Sequence, residues 1–303
     1  MSMRAKLAGA LGMLAVSLLL LAGISALTDL LNPVRVPVLM LHSVTREPEG
    51  EWSITAEKLR EDITLLQAQG YEIVSLQQVI DYGEGKGNLP ERPVCLTFDD
   101  GYHDNYTELL PLVEELQVPV TVFVIGCTVD SDKVNDAGQR VWLSTEELNA
   151  LAASPWVTVQ THTWNLHRET TDADSGRTRT YILPLEGETE AHYRAVLTED
   201  FQQEQALLTG SGVSELCAMA YPHGDGCSLT EEILGELGIR LTLTTDYSAG
   251  NLVYRGRADS LYNLGRMNLN NDTTAEQLLA YLQRPTQREA IWHLCLRRLG
   301  LLS

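Results

Sequence analysis

Residues 93–106 read PVCLTFDDGYHDNY, and this stretch sets the reading of the rest of the chain. PVCLTF is an unbroken apolar and β-branched run, the pattern of a strand buried on both faces. It stops at Asp99-Asp100-Gly101, where turn-forming residues begin. Adjacent strand residues point to opposite faces. Asp99 and Asp100 can therefore reach one site only where the strand ends, and the ends of parallel strands are where α/β active sites form. One carboxylate there can bind a metal, and its neighbour can act as a base. Asp-Asp-Gly is equally a common turn, so the tripeptide alone leaves both readings open.

Working outward, VRVPVLMLHSV (34–44) predicts a first buried strand, and Leu59, Ile63 and Leu66 predict a helix over 56–69. A strand over 71–75 and a short helix over 76–82 precede PVCLTF. After it come a helix near 105–116, the strand PVTVFVIG (119–126), a helix over 145–153 and the strand WVTVQTH (156–162). Residues 168–186 read as a polar loop and 187–209 as a long helix. Short β runs return at 217–221, 239–244 and 264–269, with a helix at 230–237. Ser75–Gln78, Ser144–Glu147 and Thr274–Gln277 each have the form of a helix-opening capping box. Short strands alternating with helices predict a parallel sheet with covered faces. The pattern divides the chain into 1–31, a domain over 32–271 and a helical tail over 272–303.

Two further constellations could carry chemistry. HTWNLH places His162 and His167 five apart. On a helix that spacing separates the rings by about 140°, and on a strand it puts them on opposite faces. They meet at one metal only if the backbone turns between them, and Asn165 suits a turn; otherwise they are two unrelated histidines. With Asp100 they would complete the Asp-plus-two-His set of open metal sites. In AMAYPHGDG (218–226) a β run breaks at Pro222-His223-Gly224, a break that can aim an N–H at a ligand or simply end a strand. His42 closes the first strand, as a core residue or a catalyst. His103, His192 and His293 read as surface residues.

With 22 Lys+Arg against 41 Asp+Glu, the net charge is −19, which argues against a nucleic-acid partner. Five cysteines are too few for a disulfide scaffold, and Cys95 and Cys127 read as buried apolar thiols. Arg4 and Lys6 precede a stretch, Leu7 to Leu27, with no charged residue. As a helix it would measure about 32 Å, enough to cross a bilayer core. The basic flank places the rest of the chain outside. The segment reads as a signal anchor, with cleavage as a signal peptide near Ser25-Ala26 the alternative. The expected location is thus the cell membrane with the main domain outside, or secretion.

Taken together, LTFDDGY, HTWNLH and AYPHG, in that order, resemble the motifs of the polysaccharide deacetylases of carbohydrate esterase family 4. VPVLMLHSV is similar to the opening of the branch that includes poly-N-acetylglucosamine deacetylases, where the histidine pair can be five apart. The resemblance covers roughly 34–270. It implies a distorted (β/α) barrel of about seven parallel strands and a divalent metal, zinc first, with cobalt, nickel or manganese also compatible. It implies Asp100, His162 and His167 as metal ligands, Asp99 as the base and His42 as the acid for the departing amine. His223, through its backbone N–H, and Tyr221 fall at oxyanion and substrate positions. The expected partner is an acetylated amino-sugar polymer, of peptidoglycan or poly-N-acetylglucosamine type. An O-acetyl esterase on a wall sugar and a non-catalytic glycan binder are the alternatives. The chain departs from the pattern in three places. SELCAMAYP has no Arg, so Arg266 in NLGRMNL is the candidate partner for Asp99; Leu41 stands where a Tyr is usual; and His223 stands where Tyr or Phe is usual.

Overall fold

The computed structural model describes residues 33–283, together with Ser17 and Leu20. The expected membrane or export segment within 1–31, and the part of the expected tail beyond 283, lie outside the described residues apart from those two. Among the described residues no helix is long and apolar enough to cross a membrane.

Eight strands make one sheet: β1 (Val38–Leu41), β2 (Glu72–Ile73), β3 (Pro93–Phe98), β4 (Val120–Val124), β5 (Val157–Thr161), β6 (Ala218–Ala220), β7 (Leu241–Thr244) and β8 (Leu264–Asn268). Every pairing in it is parallel. Because β1 pairs with both β8 and β3, seven strands close into a barrel in the order β1-β3-β4-β5-β6-β7-β8. The short β2 instead borders the first two residues of β3, below the four that β1 takes. The seam between β5 and β6 is thin, with Met219 facing Thr161 as its one register pair. The distorted parallel barrel expected from the sequence is thus the architecture observed.

Helices α1 (Ala56–Ala68), α2 (Leu76–Gly83), α3 (Leu110–Leu116), α4 (Thr145–Ala153), α5 (Glu190–Gly210), α6 (Ser228–Glu236) and α7 (Ala275–Leu282) connect and cover the strands. All three expected capping boxes form, at Ser75–Gln78, Ser144–Glu147 and Thr274–Gln277. Strand alternation sorts the core in two. Leu39, Leu96, Val122 and Met219 face outward, into a cluster shared with helix residues such as Leu59, Leu148, Phe201 and Leu278. Val38, Cys95, Phe123, Ala220 and Leu243 face inward, into a second cluster closed by Val79 and Ile80 of α2. The described part of the C-terminal region is built into the barrel: the Tyr281 hydroxyl bonds the backbone of Val38, and Arg35 donates to the Tyr281 and Leu282 carbonyls.

The structure differs locally from the sequence reading. The helix expected over 105–116 begins as a wide π turn over Asn105–Leu109, with Leu110 N–H bonding the Asn105 carbonyl. Pro111 sits in the first turn of α3 and has no N–H with which to continue an ordinary helix from Thr107. The loop 168–186 contains a small antiparallel ladder, Thr170–Thr171 with Thr178–Arg179. Arg179 is itself buried, against Glu188 at 2.5 Å. Among the described residues Cys95, Cys127, Cys217 and Cys227 are free thiols; Cys95 is buried and Cys127 half-buried.

Candidate active site

The chemistry-bearing residues gather at the carboxyl ends of the strands. Asp99 extends the β3 ladder, its N–H donating to the Leu41 carbonyl at 2.8 Å. Asp100 then turns left-handed at φ 75°, followed by Gly101 at φ 76°. That reversal brings two adjacent carboxylates to the same side. The left-handed backbone is unfavourable for Asp, a strain of the kind found at functional sites. It is held by Leu143 N–H on the Gly101 carbonyl at 3.1 Å.

His162 likewise extends β5, its N–H donating to the Val124 carbonyl at 2.8 Å. Thr163 turns left-handed at φ 74°, and the chain comes back so that the His162 and His167 ring centroids lie 4.7 Å apart. The Nε2 atoms of both rings are 3.5 Å from the same oxygen, Asp100 Oδ1. Nδ1 of His162 lies 2.7 Å from the Ala220 carbonyl. That contact makes Nδ1 the donor and leaves the Nε2 lone pair facing Asp100. Asp100 Oδ1 is buried with no hydrogen-bond partner. One ligand atom from each of the three residues falls within 4.8 Å of the others. Two neutral imidazoles and one carboxylate whose buried oxygen is unsatisfied fit a divalent metal held on one side and open on the other.

Arg266, on the inner face of β8, forks onto Asp99 with 2.7 and 2.8 Å hydrogen bonds to its two oxygens, and it also donates to Thr97 Oγ1 at 3.3 Å. Burial by itself pushes Asp99 up, but the Arg266 charge, with help from His162 and His42, holds it well below the usual carboxylate range. Asp100 goes the other way. Burial, reinforced by the Asp99 charge, pushes it up to about 6. Burial pushes His162 down to about 3 and His167 down to about 4, so both imidazoles are neutral at neutral pH.

His42 follows β1 directly. Its carbonyl accepts from Asn105 Nδ2 at 3.0 Å, and the charges of Asp99 and Asp100 act on its ring, although burial dominates and lowers its pKa. Nδ1 of His42 is buried without a partner. The ring meets Trp52 edge-on at 4.7 Å. His223 is left-handed at φ 56°, and its ring lies between Tyr181, stacked at 3.8 Å, and His167, at 4.8 Å. The structure therefore brings Asp99, Asp100, His162, His167, His42, His223 and Arg266 to one end of the barrel. Tyr221 is the correction: its side chain is fully buried in the core, and its ring fills the space a Cβ on Gly226 would need, 2.6 Å away. Fully buried, the ring does not line the barrel mouth.

Sequence reasoning did not reach Trp52, Tyr181 or Asp200, which lie in no motif and approach the site only through the fold. It also read His192 as a surface residue. In the structure His192 sits among three carboxylates: Glu188 at 2.5 Å, and Asp172 and Asp174 each at 3.3 Å.

This fold is shared with solved deacetylase structures. A de-N-acetylase from Aggregatibacter actinomycetemcomitans superposes with a TM-score of 0.68 at 22% identity, covering 82% of this chain and 99% of that one. IcaB from Ammonifex degensii superposes with a TM-score of 0.66 at 26% identity, covering 82% of this chain and 97% of that one. The family model described as "Polysaccharide deacetylase" matches residues 86–242, and the chain belongs to this family. It is also 28% identical over 267 residues to the poly-beta-1,6-N-acetyl-D-glucosamine N-deacetylase of Escherichia coli K12. The match takes in 82% of this chain but spans only 39% of that relative's length.

Proposed function

We propose that the chain is a metal-dependent N-deacetylase of a poly-N-acetylglucosamine-type polysaccharide, acting outside the cytoplasm. The observation that carries this reading is the pairing of two dissimilar carboxylates at one barrel mouth. Asp99 is forked by Arg266 and kept ionised, while Asp100 is unsatisfied and faces two imidazole Nε2 atoms. The family and the Escherichia coli relative support the reaction class and the amino-sugar substrate. The uncharged run from Leu7 to Leu27 supports the location.

Asp100, His162 and His167 would hold the metal. When bound, it supplies Lewis-acid polarisation of water and of the acetamide carbonyl. The chain's own groups then have defined tasks. Arg266 fixes Asp99 so that one carboxylate oxygen can take the proton of the attacking water. As the carbonyl carbon becomes tetrahedral, the backbone N–H of His223 stabilises the oxyanion. His42, whose pKa burial lowers, first takes up a proton and then delivers it to the nitrogen as the C–N bond breaks, so acetate and a free amine leave. A product-mapped assay tests the reading. Purified chain with zinc is given poly-β-1,6-N-acetylglucosamine and, separately, peptidoglycan. Acetate release from the first, absent in Asp99→Asn, is the expected result. Release from peptidoglycan alone would move the substrate to the cell wall.

A further inference from the structure

His162 and His167 can share a metal only because residues 163–166 reverse the chain, and a buried turn leaves N–H groups that need an acceptor. One side chain supplies it. Asp200, in the middle of α5 and 6% exposed, accepts from Trp164 N–H on Oδ2 at 2.9 Å and from Asn165 N–H on Oδ1 at 2.8 Å. Successive backbone N–H groups converging on one anion form a nest. From the other side, Cys127 N–H donates to the Trp164 carbonyl at 2.9 Å and Gly126 N–H to the Thr163 carbonyl at 3.2 Å. The Cys127 thiol reaches Asn165 Oδ1 at 3.3 Å. Only glycine fits at 126, since a Cβ there would lie 1.9 Å from Glu204 Oε2 and 2.5 Å from the Trp164 ring. The turn is thus clamped between the exit of β4 and a helix outside the barrel mouth.

We infer that Asp200 is a positioning residue: by capping two successive N–H groups it sets the separation of the two histidines and preforms the metal site before any metal arrives. This rests on the reading of Asp100, His162 and His167 as metal ligands. Asp200 touches neither metal nor substrate, and it acts through the turn.

The test is zinc affinity of the purified chain by competition with a chromogenic chelator, in the parent and in Asp200→Asn. The amide keeps the shape but sets an NH₂ against a backbone N–H. The expected result is affinity weakened about 10–100-fold, with kcat reduced and KM for the glycan unchanged. A folded variant that binds zinc within twofold of the parent overturns the inference. A parent that binds no zinc instead overturns the metal reading, and the inference with it. Should Asp200→Asn not fold, hydrogen exchange on the metal-free parent decides. Protected amides at Trp164 and Asn165 support a preformed turn, and unprotected exchange at both contradicts it.

Discussion

Arg266 and Asp99 form a two-pronged ion pair, 2.7 and 2.8 Å, with both side chains almost wholly removed from water. Neither partner is tolerable alone at that depth, because a buried charge without its counter-charge carries most of its desolvation cost uncompensated. Arg266→Met should therefore destabilise the fold by about 3–5 kcal/mol in urea denaturation and abolish activity. Arg266→Met combined with Asp99→Asn should regain much of the stability and none of the activity. A loss under about 1 kcal/mol in the single variant, the range of an exposed pair, would mean that the pair is far more solvated than the structure has it.

Among the described residues His42 and His162 are the histidines that directly follow a barrel strand, and His42 Nδ1 is buried without a partner. An amide needs its nitrogen protonated to leave, whereas an acetate ester with an activated leaving group does not. His42→Ala should cut kcat on an N-acetyl substrate by about 10²–10⁴-fold and cut activated-ester hydrolysis much less. Equal losses on both substrates would assign His42 to binding or to structure.

Metal affinity should depend on pH through Asp100 more than through the histidines. His162 and His167 stay neutral down to about 3 and 4, whereas Asp100 takes up its proton near 6. A metal must displace that proton. Zinc affinity should therefore hold above pH 7 and fall about tenfold per unit below pH 6, with one proton released per ion bound in calorimetry below pH 6. Affinity independent of pH between 5 and 7 would contradict the burial of Asp100.

The loop 168–186 carries Tyr181 to the His223 ring and is fastened at its base by His192. The Glu188 hydrogen bond raises the His192 pKa, with Asp172 and Asp174 adding to it. A raised histidine pKa contributes stability that is fully present below the unfolded value of about 6.5 and lost as pH climbs through the folded value. Limited proteolysis within 170–186 should accelerate as pH rises from 6 to 9, and His192→Gln should cleave fast at every pH. A rate flat across that range in the parent would show that the Arg179–Glu188 pair alone fastens the loop.

The parallel sheet with covered faces was legible from local chemistry, and its closure into a barrel came only with the family resemblance. Unbroken apolar runs mark strands buried on both faces, and hydroxyl-x-x-Glu/Gln boxes mark three helix starts, so the alternation could be read without long-range information. The candidate site residues were legible through LTFDDGY and HTWNLH and their resemblance to a known family, since the spacing of the histidines alone left a shared metal and two unrelated rings equally open. What closes the site was not. The spacing of the histidines required a turn, but nothing near them in sequence says that Asp200, some thirty-five residues on, holds it. Trp52 and Tyr181 belong to loops whose path depends on the finished barrel. Tyr221 misled because it adjoins the Pro222-His223 turn in sequence while its side chain, one step back along the strand end, points into the core.

The most direct measurement is acetate release from poly-β-1,6-N-acetylglucosamine by one preparation of the chain, before chelation, after removal of divalent metal, and after zinc is restored. The account predicts activity, then its loss, then its recovery, with Asp99→Asn silent throughout although it still binds zinc. Undiminished release by the metal-free chain, or by Asp99→Asn, would contradict it.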